Sequence, residues 1–171
     1  MKIRKLKITD APRMLEWMHS EDTIRFLRYD FEHMQLDNCR DFIINSNCRN
    51  LNDLHYAITD DEDCYSGTVS LKHVDHKIKA AELAIVLHPE AMGKGYSSFG
   101  ISELFKIAKE KSINYIYWCV DERNTRAIRF YEKMGFKQIN IDEFNYIHYL
   151  ENKGLYSKEE IDGFRWYGIS I

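Results

Sequence analysis

Glu82-Leu83-Ala84-Ile85-Val86-Leu87, then His88-Pro89-Glu90-Ala91, then Met92-Gly93-Lys94-Gly95-Tyr96-Ser97-Ser98 is the stretch that decides how this sequence folds. After the glutamate the first block is apolar without alternation. A strand of that kind is covered on both faces, which places it centrally in a sheet flanked by helices. Pro89 ends it. The two glycines open backbone conformations closed to other residues and let a ligand approach the main chain closely. A helix follows, with Ile101, Leu104, Phe105 and Ala108 on one apolar face. Strand, glycine turn and helix together make a physical recipe for an anion site. Main-chain N–H groups turn inward, and the helix N-terminus adds free donors and a positive dipole end. Ser97 and Ser98 add hydroxyl donors. A bare turn of this kind is equally at home as a plain tight loop, so the rest of the chain must decide between the two.

Upstream, His55-Tyr56-Ala57-Ile58-Thr59 reads as a strand, the acidic turn Asp60-Asp61-Glu62-Asp63 follows, and Thr68-Val69-Ser70-Leu71-Lys72 alternates as a half-buried strand does. Asp75-His76-Lys77 is the next turn. Nearer the start, Lys5-Leu6-Lys7-Ile8 alternates, and Thr9-Asp10-Ala11-Pro12 carries helix-start chemistry. Met14, Trp17 and Met18 form that helix's apolar face. Leu36, Cys39 and Ile43 mark a second helix, starting at Asp37 or just before. Downstream, Tyr115-Ile116-Tyr117-Trp118-Cys119-Val120 is another buried strand. A helix with Ala127, Phe130, Tyr131 and Met134 on one stripe follows, stopped by Gly135. In the tail, Phe136 to Ile141 and Phe164 to Ile171 read as strands, Asn152-Lys153-Gly154 as a turn, and Ser157-Lys158-Glu159-Glu160 as a capped short helix. The order β-α-α-β-β-β-α-β-α-β-β predicts an α/β (α+β) fold with a mixed, mostly antiparallel central sheet. The 171 residues suit a single domain, 1–171.

Composition narrows the function. The net charge of −3, from 24 basic and 27 acidic residues, leaves no basic field for a nucleic acid. No apolar run suits a signal peptide or a membrane span, so the expectation is a cytoplasmic protein with no membrane partner. Cys39, Cys48, Cys64 and Cys119 are scattered, without CxxC or a spaced His pair, so no metal site is expected. Cys119 reads as a small core residue rather than a nucleophile. The glycine turn fits neither common phosphate motif. No Lys-Ser/Thr follows a glycine at Walker A spacing, and Ser98 stands where the Rossmann pattern requires its third glycine.

Leu87 to Ser97 does resemble the acetyl-CoA motif of the GNAT N-acetyltransferase superfamily, Q/R-x-x-G-x-G/A. Asn124-Thr125-Arg126-Ala127-Ile128-Arg129-Phe130-Tyr131-Glu132-Lys133-Met134-Gly135-Phe136 is similar to that family's N-x-x-A-x-x-x-Y-x-x-x-G-F signature. The separation of the two and the elements between them agree. The stretch through Trp17 resembles the family's first strand and helix more loosely, and the branch resembled includes spermidine and ribosomal-protein acetyltransferases. Met92 stands where the family usually has Gln or Arg, and Ser97 where it usually has Gly or Ala. The turn is therefore expected to bind mainly through backbone donors.

The resemblance implies an N-acetyltransferase with acetyl-CoA as co-substrate, passing its acetyl group directly to a primary amine. Such a transfer needs a neutral amine, a donor for the carbonyl oxygen, and a proton for the departing thiolate. Tyr131 matches the family tyrosine that acts as general acid, although it also falls on the helix's core stripe. Glu82 is the candidate base, or an ordinary strand-edge glutamate; His88 is an alternative base but suits a loop cap better. Carried over from the family, the backbone of Ile85, Val86 and Leu87 pairs with the pantetheine arm, and Met92, Gly93, Lys94, Gly95, Tyr96 and Ser97 hold the phosphates. Asn124 and Ala127 open the second helix beside the cofactor, Asn124 either as a contact or as the N-cap. His33, His55, His73 and His76 read as surface or structural.

The acceptor pocket in this family lies between the first helical region and the tail. Here those hold Trp17, Phe26, Tyr29, Asp30, Phe31 and Glu32, and Tyr146, His148 and Tyr149. Acidic and aromatic groups suit a small amine acceptor, a polyamine or an aminosugar. The alternatives are a protein N-terminus or lysine as acceptor, or a non-catalytic acyl-CoA-binding module. Phe164-Arg165-Trp166-Tyr167 is either a homodimer surface or the edge of the core.

Overall fold

A computed structural model of the chain describes residues 1–48, 52–140, 150 and 153–171. Its strands are β1 (Lys2–Lys5), β2 (Leu54–Thr59), β3 (Tyr65–Asp75), β4 (Ala80–Leu87), β5 (Tyr115–Asp121) and β6 (Phe164–Ser170). Its helices are α1 (Ala11–Met18), α2 (Glu21–Ile24), α3 (Leu36–Cys48), α4 (Tyr96–Glu110), α5 (Thr125–Lys133) and α6 (Lys158–Gly163). The strands form one six-stranded sheet in chain order. Every neighbouring pair is antiparallel except β4 and β5, which run parallel and are joined through α4.

The sheet is covered on both faces, as the apolar character of β4 requires. On one face Ile58, Val69, Leu71, Leu83 and Leu87 pack with Ile101, Leu104 and Ala108 of α4 and Ile128 of α5. On the other, Ala57 and Tyr65 pack with Met14, Trp17 and Met18 of α1 and Cys39 and Ile43 of α3, and Val86 joins them. A third cluster gathers Ala80, Tyr117, Tyr156, Ile161 and Trp166 under the tail. Gly100 lets α4 lie close to the sheet, since a Cβ there would meet Ile58 Cδ1 at 2.4 Å.

Three local expectations are corrected. The first strand is Lys2–Lys5 rather than 5–8, because Asp10 draws the next residues into a tight turn. Its buried carboxylate accepts from the Lys7 N–H at 2.8 Å and takes both Arg4 guanidinium nitrogens at 2.7 and 2.8 Å. The second helix starts as expected, just before Asp37, which lies in the first turn of α3 and pairs with Arg40 at 2.8 Å. On α5, Ala127, Phe130 and Tyr131 pack on the core with Ile128, but Met134 is 40% exposed, because the helix ends at Lys133 before Met134 can turn inward. Phe136 to Ile141 is not a strand across its described residues, 136–140: one bridge from Gln138 to Tyr167 ties it to β6, and Ile141 lies outside the described residues. In the tail, Ser157 and Glu160 form a reciprocal capping box at α6, and Trp166 and Tyr167 are buried in the core.

Candidate active site

The site begins where the sheet comes apart. β4 is paired with β3 along nearly its whole length, from Ala80 to Leu87. On its other side it meets β5 only at Ala80, Ala81 and Glu82. From Leu83 onward the β5-facing main-chain groups of β4 have no strand partner, while β5 continues to pair with β6 through Asp121. Glu82 is thus the last paired residue at the apex of a split. A bulge in β3 lies directly beside it: Lys72 opposes Glu82, but Asp75 opposes Ala80, so β3 carries one residue more than β4 between these pairs. His73 in that bulge takes φ +52°, the kind of local irregularity that re-aims a side chain next to a site.

The split opens into a cleft of about 770 Å³. One side is Glu82 to Val86 of β4 facing Trp118 to Asp121 of β5, with Asn124, Ala127 and Tyr131 of α5 at the far wall. The other side is built by Trp17, the segment Phe26 to Phe31, Asn38, Asp41, Phe42, His55, Thr68, Ser70 and Lys72. Of the expected residues, Glu82, Ile85, Val86, Asn124, Ala127, Tyr131, Trp17, Phe26, Tyr29, Asp30 and Phe31 line this single cleft. Leu87 is buried in the core below it and Glu32 is outside its lining. Tyr146, His148 and Tyr149 lie outside the described residues.

Glu82 is 5% exposed and sits in a dense polar knot. Its Oε1 accepts from the Tyr156 hydroxyl at 2.8 Å and from Lys72 Nζ at 3.3 Å. Its Oε2 is buried, has no hydrogen-bond partner among the described residues, and has His73 Nε2 at 3.7 Å. Burial, against the pull of Glu82, lowers the His73 pKa, so that ring is neutral at pH 7. The Cys119 thiol reaches the Tyr156 oxygen at 3.6 Å. Burial, reinforced by Glu82, pushes that thiol up to about 12. Cys119 therefore stands at the cleft wall rather than in the core, but as a protonated thiol it is a poor nucleophile.

Tyr131 is buried in an aromatic cluster. Its ring lies 5.3 Å from Trp118, 5.1 Å from Phe130 and 5.4 Å from Tyr167. Desolvation there, with Cys119 and Tyr167 nearby, raises the phenol's pKa, so it holds its proton at neutral pH. Asn124 caps α5, its Oδ1 accepting from the Ala127 N–H at 3.1 Å. His88 is likewise a cap: it accepts from the Glu90 N–H at 3.3 Å, and its other nitrogen meets Glu16 at 2.8 Å.

The glycine turn follows β4. Gly93 and Gly95 take φ +74° and +87°, and Gly95 is the N-cap of α4. A Cβ at Gly93 would meet nothing within 4 Å and one at Gly95 only the tip of Met1 at 3.9 Å, so the turn is open as well as left-handed. These positions suit a phosphate held by main-chain N–H groups. Ser98 donates to the Gly95 carbonyl at 2.9 Å, which commits its hydroxyl to the helix start. Arg126, from the first turn of α5, places Nη1 2.9 Å from Met92 Sδ. A guanidinium thus stands beside the position where the sequence lacks a polar side chain.

Tyr156, Lys72, His73 and Arg126 were not among the residues singled out for the site. The Asn124 signature contained Arg126, and Lys72 sits opposite Glu82 in an alternating strand. Tyr156 offered no signal, because its contact spans 74 positions. His55 lines the cleft, Nδ1 to Ser70 Oγ at 2.7 Å, and burial lowers its pKa. Among the described residues no group of His, Cys, Asp and Glu is placed to hold a metal, and no helix is long and apolar enough to cross a membrane.

The mostly antiparallel sheet thus splits beside its parallel pair, with a glycine turn at the strand end. The chain belongs to the acetyltransferase (GNAT) domain family, whose model matches residues 1–137. It is 31% identical over 81 residues to spermidine N(1)-acetyltransferase of Escherichia coli K12; the match covers 42% of this chain and 39% of that relative. Among solved structures, spermidine N-acetyltransferase from Vibrio cholerae in complex with CoA and spermine superposes with a TM-score of 0.77 at 17% identity, over 99% of this chain and 94% of that one. The PaiA N-acetyltransferase from Thermoplasma acidophilum in complex with coenzyme A gives 0.70 at 20% identity, over 99% and 98%. At these identities the structural likeness shows the fold.

Proposed function

We propose that this protein is an N-acetyltransferase that moves the acetyl group of acetyl-CoA directly onto a primary amine of a small molecule, with a polyamine as the leading acceptor class. The observation that carries this reading is the split between β4 and β5, with Glu82 at its apex and Tyr131 on its wall. The unpaired edge of Leu83 to Leu87 offers main-chain groups to an amide-bearing arm. The turn from Met92 to Ser97 offers N–H donors to phosphates, with Lys94 and Arg126 supplying positive charge. Ala127 leaves room at the start of α5 beside the capping Asn124. Acetyl-CoA supplies the activated thioester.

Glu82 acts as the base. Its Oε2, buried and without a hydrogen-bond partner among the described residues, takes the proton of the acceptor's ammonium, directly or through water, leaving a neutral amine to attack. Tyr131 acts as the acid, its phenol keeping a proton to deliver to the leaving sulfur. Cys119 forms no acyl intermediate, since its thiol is held protonated. On the acceptor side the aromatic rings of Trp17, Phe26, Tyr29 and Phe31 and the carboxylates of Asp30 and Asp41 suit an aliphatic polycation, and the spermidine-acetylating relative supports the same class. Tyr156 lies beyond residue 137, so we read 1–171 as one functional unit. The unpaired cysteines support the reducing cytosol as its compartment. The test is release of free thiol from acetyl-CoA with spermidine, glucosamine and a lysine peptide as acceptors. Turnover is expected with spermidine first. Preference for the peptide moves the acceptor to proteins, and CoA binding without turnover on any of them leaves only a binding module.

A further inference from the structure

Glu82 and Tyr156 make a contact that no local pattern in the chain foreshadows, and its geometry is selective. Tyr156 is 3% exposed and belongs to the segment leading into α6. Its hydroxyl donates to Oε1 of Glu82 at 2.8 Å and leaves Oε2 untouched. The same oxygen of Tyr156 receives the Cys119 thiol at 3.6 Å, so the hydroxyl proton is directed toward Glu82. The Tyr156 ring is fixed from both sides. Trp166 of β6 packs edge-on at 5.1 Å, and the Arg28 guanidinium lies over the ring at 3.8 Å. Arg28 is itself held, donating to Glu160 Oε1 at 2.9 Å and to the Leu155 carbonyl at 3.0 Å. Arg28 belongs to the Phe26–Phe31 segment that walls the acceptor side of the cleft.

We propose that Tyr156 is a positioning residue for the base: its hydroxyl holds Oε1 of Glu82 so that Oε2 is left to take the acceptor's proton, directly or through water, and Arg28 on its ring ties the acceptor-side segment to that arrangement. This rests on Glu82 being the base. A carboxylate held by one donor keeps its charge and its orientation at once. Among the described residues, the groups facing Glu82 are Lys72 and His73 from β3, Cys119 from β5, Tyr156 from the tail, and Arg28 behind it. Lys72 also contacts Oε1, but at 3.3 Å, and it is the weaker tether.

The sign of the effect follows. Tyr156→Phe removes a donor that the ionised carboxylate uses. In protein carrying ¹³C-labelled glutamate carboxyls, with Glu82→Gln identifying the signal, the Glu82 carboxyl resonance at pH 7 moves in Tyr156→Phe. With spermidine as the acceptor probe, the acidic limb of kcat/KM moves up and kcat falls about tenfold, while KM for acetyl-CoA stays put. Arg28→Met moves the limb the same way by less. In a Glu82→Gln background, Tyr156→Phe adds no further loss. An unmoved Glu82 carboxyl resonance in folded Tyr156→Phe overturns the proposal, as does a loss of melting temperature with an unmoved pH profile. Wild-type kinetics in Glu82→Gln would instead overturn Glu82 as the base. The carboxyl resonance reads the contact even if spermidine is not turned over.

Discussion

The two sides of the cleft are made of different material. Toward β4 and α4 the surface is largely main chain: the unpaired edge from Leu83 to Leu87, then two left-handed glycines with open space where side chains would stand. Toward β2, β3 and the Phe26–Phe31 segment it is side chain: aromatic rings, Asp30, Asp41 and the Lys72–Glu82–Tyr156 knot. A main-chain surface binds whatever carries amides and phosphates, and it tolerates sequence change as long as the backbone keeps its path. Met92 and Ser97 illustrate that tolerance, since neither alters the N–H groups of the turn. A side-chain surface is selective, and each substitution changes what it recognises.

The largest effect that sharpens this contrast lies at the chemistry between the two sides. Tyr131→Phe keeps the ring in its aromatic cluster but removes the proton, so kcat at saturating substrates falls about 10²-fold or more while KM for acetyl-CoA stays within error. Steady-state thiol release measures both; an unchanged kcat would return Tyr131 to the core stripe. Next is a side-chain charge beside the glycine turn. Arg126→Ala raises KM for acetyl-CoA by about fivefold, and less at high salt, with kcat unaffected; Met92→Arg in that background restores the lost affinity. A fall in kcat instead would place Arg126 in a different role. The smallest effect lies in the ion pairs that tie β1 to the turn before β3. Arg4 and Lys7 hold the Asp63 carboxyl down to about 2. Its folded pKa is depressed below that of an ordinary carboxylate, so its contribution is complete above about pH 4 and is lost as pH falls through about 2. Asp63→Asn lowers the melting temperature slightly at pH 7, and the difference from wild type shrinks steadily as the pH is lowered from about 4 through 2. A constant difference across that range would contradict the pairing.

Legibility in the sequence follows the same division. The main-chain side could be read because its constraints are local: a left-handed turn demands glycine at Gly93 and Gly95, a cap demands Asn124, and a doubly covered strand demands an apolar run from Leu83 to Leu87. The side-chain side could be read only as a list of residue types. Nothing in the order of residues brings Tyr156 to Glu82, or sets Arg28 on the tyrosine ring, because those contacts join residues far apart in the chain, 74 positions for Glu82 and Tyr156. The bulge that turns His73 toward Glu82 was hidden inside an ordinary strand. The misplaced first strand has a related origin: Arg4 pairs locally with Asp10 and across the chain with Asp63, and the Asp10 turn reshapes residues 5–10 against their alternation.

Calorimetric titration of acetyl-CoA into the wild-type protein and into Gly95→Val tests the central claim most directly. Valine cannot adopt φ +87° without strain. The account predicts saturable one-to-one binding to wild type and at least about tenfold weaker binding to a variant whose circular dichroism is unchanged. No binding heat with wild type, or equal affinity for both proteins, would contradict it.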